Sequence, residues 1–226
     1  MRIGGVVLAL VAVGCGPPSK LTALPNKQIS LILDFNRPPP SSSTPPSVSA
    51  FLQYANDADV CPALSIAAAL DDTMLTPDPT TSGSAGAVCL LGFVLSGMPP
   101  PDAPQSTLRF ADVSGSVAYT LTRLLDPRGF ATTATSVNAG DKVTLDWSVA
   151  TDTLDTASAT FVSGTTMQTA TPTIAGTTAT LTVPSLRSGS WMLQIAPLAH
   201  AAQVSCDVDT CSNAIGSTTT LPLTIN

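Results

Sequence analysis

Apolar residues recur at every second position over much of this chain. Val143, Leu145, Trp147 and Val149 alternate with Lys142, Thr144, Asp146 and Ser148. Trp191, Leu193 and Ile195 alternate with Met192 and Gln194, and Ile29, Leu31, Leu33 and Phe35 alternate with Ser30, Ile32 and Asp34. Successive side chains of an extended strand point to opposite faces, so each segment carries one apolar face that must be buried. A helix cannot use this spacing. The composition closes off helices further: 11% of residues are charged and none is Glu. Thr, Ser, Ala, Val, Pro and Gly fill the remainder, a strand-and-turn mixture. The sequence therefore predicts an all-β protein.

The 226 residues suit one large domain or two of about 100. In the first half, strands are expected at 29–35 and 47–54, the latter with Ala50, Leu52 and Tyr54 on one face. Between them, Arg37 to Pro46 is dense in proline and predicts a solvated loop, because proline cannot join a central strand. The segment 63–70 fits a short helix or a strand. The apolar run 87–95 suits a buried strand. Segments 108–111 and 116–124 form a strand pair turning at Ser114-Gly115, with Val117, Tyr119 and Leu121 inward. A β-sandwich is thus expected over residues 27–126. Asp126-Pro127-Arg128-Gly129 marks a boundary.

The second half, 130–226, predicts another sandwich from short strands at regular spacing. Strands are expected at 142–149, 157–162, 178–183, 190–196 and 218–226. Ala139-Gly140-Asp141-Lys142-Val143-Thr144-Leu145-Asp146-Trp147 resembles the glycine turn and Trp-bearing strand of bacterial immunoglobulin-like and fibronectin-III-like domains. Leu186 to Ile195 resembles the small-Gly-small-aromatic start of a late strand in that family. The resemblance implies a β-sandwich used for spacing, adhesion or ligand display, without shared catalytic residues.

At the N-terminus, Arg2 precedes an uncharged apolar run from Ile3 to Val13, and Gly14 precedes Cys15. About eleven residues are too few to span a bilayer, which takes about twenty, but suit a secretory signal. Ala12-Val13-Gly14-Cys15 resembles the lipobox of bacterial lipoproteins, although Leu is usual where Ala12 stands. The resemblance implies that residues 1–14 are removed and Cys15 is acylated, anchoring the chain to membrane. Gly16 follows where Asp is the family's inner-membrane retention residue, which favours the outer membrane of a diderm host. Residues 15–26 then form the anchor and a proline-containing tether.

With Cys15 assigned to lipid, Cys61, Cys89, Cys206 and Cys211 remain. An even number in an exported chain implies disulfides. Of three possible pairings, Cys61–Cys89 and Cys206–Cys211 keep each bridge within one expected domain. Loop-closure entropy gives about 3.5 and about 2 kcal/mol for them.

Little in the chain points to catalysis. His200 is the single histidine, so a Ser-His-Asp triad would have to use it. Ser82-Gly83-Ser84-Ala85-Gly86 lacks the first glycine of a nucleophile elbow. The Asp pairs 57/59, 71/72, 152/155 and 207/209 are close in sequence, but sugar-stacking aromatics are few. Cys206 to Cys211 offers two carboxylates for calcium without the glycine or terminal Glu of a calcium loop. No cofactor or metal is expected. The net charge of −6, with no basic patch, argues against nucleic acid. The long segment 197–217, with its own disulfide, is expected to be a loop and to form any interaction surface. The chain is therefore expected to be a non-enzymatic, lipid-anchored lipoprotein of the cell envelope. It would serve as an interaction, adhesion or scaffold module with an unidentified protein or carbohydrate partner. The alternative is a periplasm-facing carbohydrate- or peptide-binding subunit.

Overall fold

The structure, a computed structural model, describes residues 20–35, 47–55, 61, 64–84, 87–96 and 103–226. The signal, Cys15 and the proline-rich loop from Arg37 to Pro46 lie outside the described residues, as do Asp57 and Asp59.

Among the described residues the regular structure is all β apart from a single 3-10 turn at Leu21–Ala23. In chain order the strands are β1 (Gln28–Asp34), β2 (Ser47–Ala55), β3 (Ala67–Leu70), β4 (Thr73–Met74), β5 (Thr76–Ser84), β6 (Val88–Ser96), β7 (Gln105–Asp112) and β8 (Gly115–Thr122). There follow β9 (Phe130–Ala131), β10 (Ser136–Val137), β11 (Lys142–Trp147), β12 (Thr153–Ser163), β13 (Thr166–Ala170), β14 (Thr173–Ala175), β15 (Thr178–Thr182) and β16 (Gly189–His200). The last are β17 (Gln203–Cys206), β18 (Thr210–Gly216) and β19 (Thr219–Ile225). The alternation seen in the sequence sets the faces: Ile29, Leu31, Leu33, Val143, Leu145, Leu193 and Ile195 are buried, with their polar neighbours outward. The ambiguous segment 63–70 contributes strand β3.

In the second half, one sheet runs β14-β15-β11-β9. The facing sheet runs β10-β19-β16, and β12 and β13 extend it beyond β16. In immunoglobulin lettering these are D-E-B-A and A′-G-F-C-C′. This strand order is that of an immunoglobulin-like sandwich. Gly164 allows the tight turn from β12 to β13 by holding φ at 59°.

The F-to-G connection departs from a plain immunoglobulin-like sandwich, and from the expected loop at 197–217. Instead of a loop it carries β17 and β18 into the first sandwich. There β18 runs parallel to β1, from Gln28↔Thr210 to Asp34↔Gly216. β17 pairs with β8, with Cys206 opposite Tyr119. The first sandwich therefore packs β18-β1-β2-β6-β5 against β17-β8-β7-β3-β4. Phe93 on β6 meets Phe110 on β7 edge-to-face at 5.5 Å. Residues 203–216 belong to this first unit, so the expected division into 27–126 and 130–226 is corrected. The cause is backbone pairing: β1 and β8 would otherwise end their sheets with unpaired N–H and C=O groups. Single pairing of Ala199 with Ile215 also makes one continuous sheet across both sandwiches.

The tether is shorter than expected. Leu21 is fully buried and Leu24 nearly so. The Leu21 N–H donates to Asp112 Oδ2 at 2.7 Å. Burying a leucine contributes about 1.5–3 kcal/mol, enough to hold this segment on the body. Residues from Lys20 onward are therefore part of the fold.

Candidate functional site

The F-to-G insertion leaves a polar cleft of about 500 Å³ between the sandwiches. Tyr119 from β8, Thr153 from β12, His200 from the end of β16, Gln203 from β17, and Ser212 and Asn213 from β18 line it. Asn213 organises the cleft. Its Oδ1 accepts the Ala201 N–H at 2.7 Å, and its Nδ2 donates to Tyr119 Oη at 2.8 Å and Ala201 O at 3.2 Å. Burial pushes the Tyr119 hydroxyl above the ordinary tyrosine range, and the Asn213 hydrogen bond opposes this. The phenol is a neutral hydrogen-bonding group at physiological pH.

His200 Nδ1 lies 3.2 Å from Asp155 Oδ2, and both side chains are exposed to solvent. The irregularity between Leu154 and Thr156 on β12 turns Asp155 outward. An oriented imidazole needs a nucleophile to act as a hydrolytic base. The nearby cleft serine, Ser212, shares its hydroxyl hydrogen bond with Ser30 Oγ at 2.9 Å. Among the described residues His200 bonds Asp155 and no serine. The arrangement presents hydrogen-bonding groups rather than a nucleophile–base pair.

The other sequence candidates are scattered. Asp152 and Asp155 diverge: Asp152 is buried against Arg128, with Nε–Oδ2 at 2.8 Å and Nη2–Oδ1 at 2.9 Å. Asp71 accepts the Thr107 N–H, and Asp207 accepts the Ala118 N–H. Asp207 thus docks the disulfide hairpin onto β8. Among the described residues no group of three or more His, Cys or Asp side chains is gathered for a metal. The cysteines pair as Cys61–Cys89 and Cys206–Cys211, with Cα–Cα distances of 5.7 and 5.9 Å. The first ties the β2–β3 connection to β6, and the second closes the turn from β17 to β18.

A second feature lies on the outward face of β13, β12, β16 and β19. Met167 stands opposite Val162, Val162 opposite Met192, and Met192 opposite Pro222. These side chains form one apolar row across the sheet. A shallow cleft of about 490 Å³ beside it is lined by Val162, Ser190, Trp191, Met192, Pro222 and Thr224, among others.

No family model matches the chain, and no curated protein matches it significantly. Solved structures superpose over much of its length with low similarity. The mixed-linkage glucan utilization locus protein SGBP-B of Bacteroides ovatus, in complex with a mixed-linkage heptasaccharide, is 11% identical with a TM-score of 0.28. That match covers 89% of this chain and 60% of the other, so the chain spans about three fifths of that protein. Titin Ig tandem domains are 10% identical, with coverage of 89% and 93% and a TM-score of 0.26. Murine CEACAM1b is 14% identical, with coverage of 88% and 100% and a TM-score of 0.25. The assignment of the immunoglobulin-like fold rests on the strand order, not on these superpositions.

Sequence reasoning missed three features of this region. Arg128 sits between Pro127 and Gly129, where an arginine is usually solvated, and only the position of Asp152 reveals its burial. Asn213 carries no motif. The apolar row joins residues distant in sequence, and its members occupy the polar phase of their strands.

Proposed function

We propose that this chain is a non-enzymatic, lipid-anchored lipoprotein of the bacterial cell envelope that acts by contact, as an interaction, adhesion or scaffold module. The observation that carries this reading is where the N-terminal segment meets the body. Leu21 is bonded to Asp112 at the β7–β8 turn. The opposite end of the first sandwich, at Phe35, meets Arg128 and the immunoglobulin-like unit, with the guanidinium 5.6 Å from the ring centre. The five Cα–Cα steps (20 − 15) from Cys15 to Lys20 span at most about 18 Å. An acylated Cys15 would hold the β7–β8 end close to the membrane and direct the immunoglobulin-like sandwich away from it. Several acyl chains would make the attachment stable. The lipobox resemblance supports the anchor, and Gly16 supports the outer membrane.

The polar cleft favours a second reading, a periplasm-facing subunit that binds a carbohydrate or peptide. The amide of Asn213, the phenol of Tyr119 and the imidazole of His200 are hydrogen-bonding groups that suit hydroxyl or peptide ligands. Two experiments test these readings. Metabolic labelling with an alkyne fatty acid should label the wild-type chain and not Cys15→Ser; absence of label from the wild type overturns the anchor. Protease treatment of intact cells should cut an outward-facing chain. Cleavage only after the outer membrane is opened supports the periplasm-facing subunit instead.

A further inference from the structure

The two outer faces of the immunoglobulin-like sandwich are chemically unlike. The face of β9, β11, β14 and β15 carries Lys142 and Asp146 outward. The opposite face carries the row Met167, Val162, Met192 and Pro222. Among the described residues, this unit's exposed large apolar side chains are Met167, Met192 and Leu198, at 66, 42 and 50% exposure, and all stand on that second face. The next rows are Thr169, Thr160, Gln194 and Thr220, then Ser158 and Ala196. From Ser158 to Val162 the outward strand positions bear no charge, and Arg187 reaches only the β12–β13 turn, where its Nη2 donates to Thr166 Oγ1 at 3.5 Å. Charge depletion with exposed methionine is the composition of interface centres, since the thioether adapts to irregular surfaces.

We infer that this face is the contact between two copies of the chain lying side by side in one membrane. The inference rests on the lipid-anchor reading above. With a net charge of −6, two copies repel one another overall. The uncharged face is where they meet without that cost. A two-fold contact sets the same patch on itself, and a row of Met, Val, Met and Pro is compatible with its own copy. The direction of the strands fits as well. β1 leads from the anchored end toward Phe35, and β16 returns toward the same junction, so the face lies lateral to the anchor. A two-fold axis along the strands keeps both anchors in the same membrane. The patch is smaller than the 20–30 residues per side of a standard interface. The pair is therefore weak in dilute solution and formed at membrane density, where anchoring raises the effective concentration.

The test uses the full chain expressed in its envelope. Met192→Cys, treated with a short bismaleimide on isolated envelopes, is expected to give a covalent dimer whose peptides all come from this chain. Thr144→Cys on the opposite face is expected to give none. Adding Thr160→Lys and Gln194→Lys, both at solvent-facing positions, is expected to lower the Met192→Cys dimer at least tenfold. A Met192→Cys chain that stays monomeric, or that is captured only by other proteins, overturns the inference. So does a dimer unaffected by the two lysines. The fatty-acid label on Cys15 is scored in the same samples. Dimer without label removes the anchor and leaves the face; label without dimer removes the face and leaves the anchor.

Discussion

Arg128 and Asp152 form a two-point ion pair with both side chains fully buried. The guanidinium also donates to the carbonyls of Leu124 and Asp126, and the Trp147 indole N–H donates to Asp152 Oδ2 at 2.8 Å. Ser217 Oγ donates to the Arg128 carbonyl. The pair therefore joins the end of the first sandwich, the start of the second and the segment returning from the F-to-G insertion. Removing one partner strands a charge away from water. Asp152→Ala is expected to cost about 3–5 kcal/mol in chemical denaturation. Arg128→Met combined with Asp152→Leu is expected to recover much of that loss, because neither charge then remains buried. A single variant of unchanged midpoint would contradict the role given to the pair.

Residues 203–212 contain β17 and the first residues of β18. Their deletion is expected to unfold the first sandwich rather than trim a surface loop. Near-ultraviolet circular dichroism and limited proteolysis would read this as loss of the β1–β8 core. A deleted chain of wild-type stability would show that the insertion is dispensable.

Gly92 on β6 faces the irregular stretch of β5 between Asp78 and Gly83. Its N–H bonds Ser82 Oγ at 3.0 Å, and a Cβ placed there would overlap the Thr81 hydroxyl. Gly92→Ala is expected to cost about 1–3 kcal/mol through overpacking. Combining it with Thr81→Gly is expected to return part of the loss, as measured by thermal midpoint.

Asp112 receives hydrogen bonds from the Ser114 hydroxyl and the Leu21 N–H, which hold its carboxyl below the usual carboxylate range. Asp78, bonded by Thr80, and Asp141, bonded by the Asn138 N–H, are lowered in the same way. A depressed folded-state pKa stabilises the fold above the unfolded value, and the contribution is lost as pH falls through the folded value. The thermal midpoint is expected to drop below about pH 4. Asp112→Asn is expected to flatten part of that drop and to expose the Leu21–Ala23 turn to protease at neutral pH.

Asn213→Ala removes the partner of Tyr119 and of both backbone groups of Ala201. A cost of about 1–3 kcal/mol is expected. His200→Ala, at a solvent-exposed site, is expected to change stability by less than about 0.5 kcal/mol.

The strand faces were legible because their signal is local. Each of Val143, Leu145 and Trp147, or Trp191, Leu193 and Ile195, announces its side of the sheet by spacing alone. The expected cysteine pairing rested instead on placing Cys206 and Cys211 with residues 130–226, whereas their strands pair with β8 and β1 of the first sandwich. The F-to-G insertion was not legible. β17 is largely exposed and β18 has Ile215 as its fully buried apolar residue; what holds both strands is backbone pairing to β8 and β1, which side-chain pattern does not encode. Leu21 and Leu24 looked like tether residues because two leucines among prolines give no periodicity. The cleft depends on Asn213 and Tyr119, which are 94 residues apart.

The mass of the N-terminal peptide of the mature protein, purified from the envelope, tests the anchor most directly. The expected result is a chain that begins at Cys15 and carries acyl chains on its sulfur and amino group. A chain that begins elsewhere, or a Cys15 with a free thiol, would contradict it.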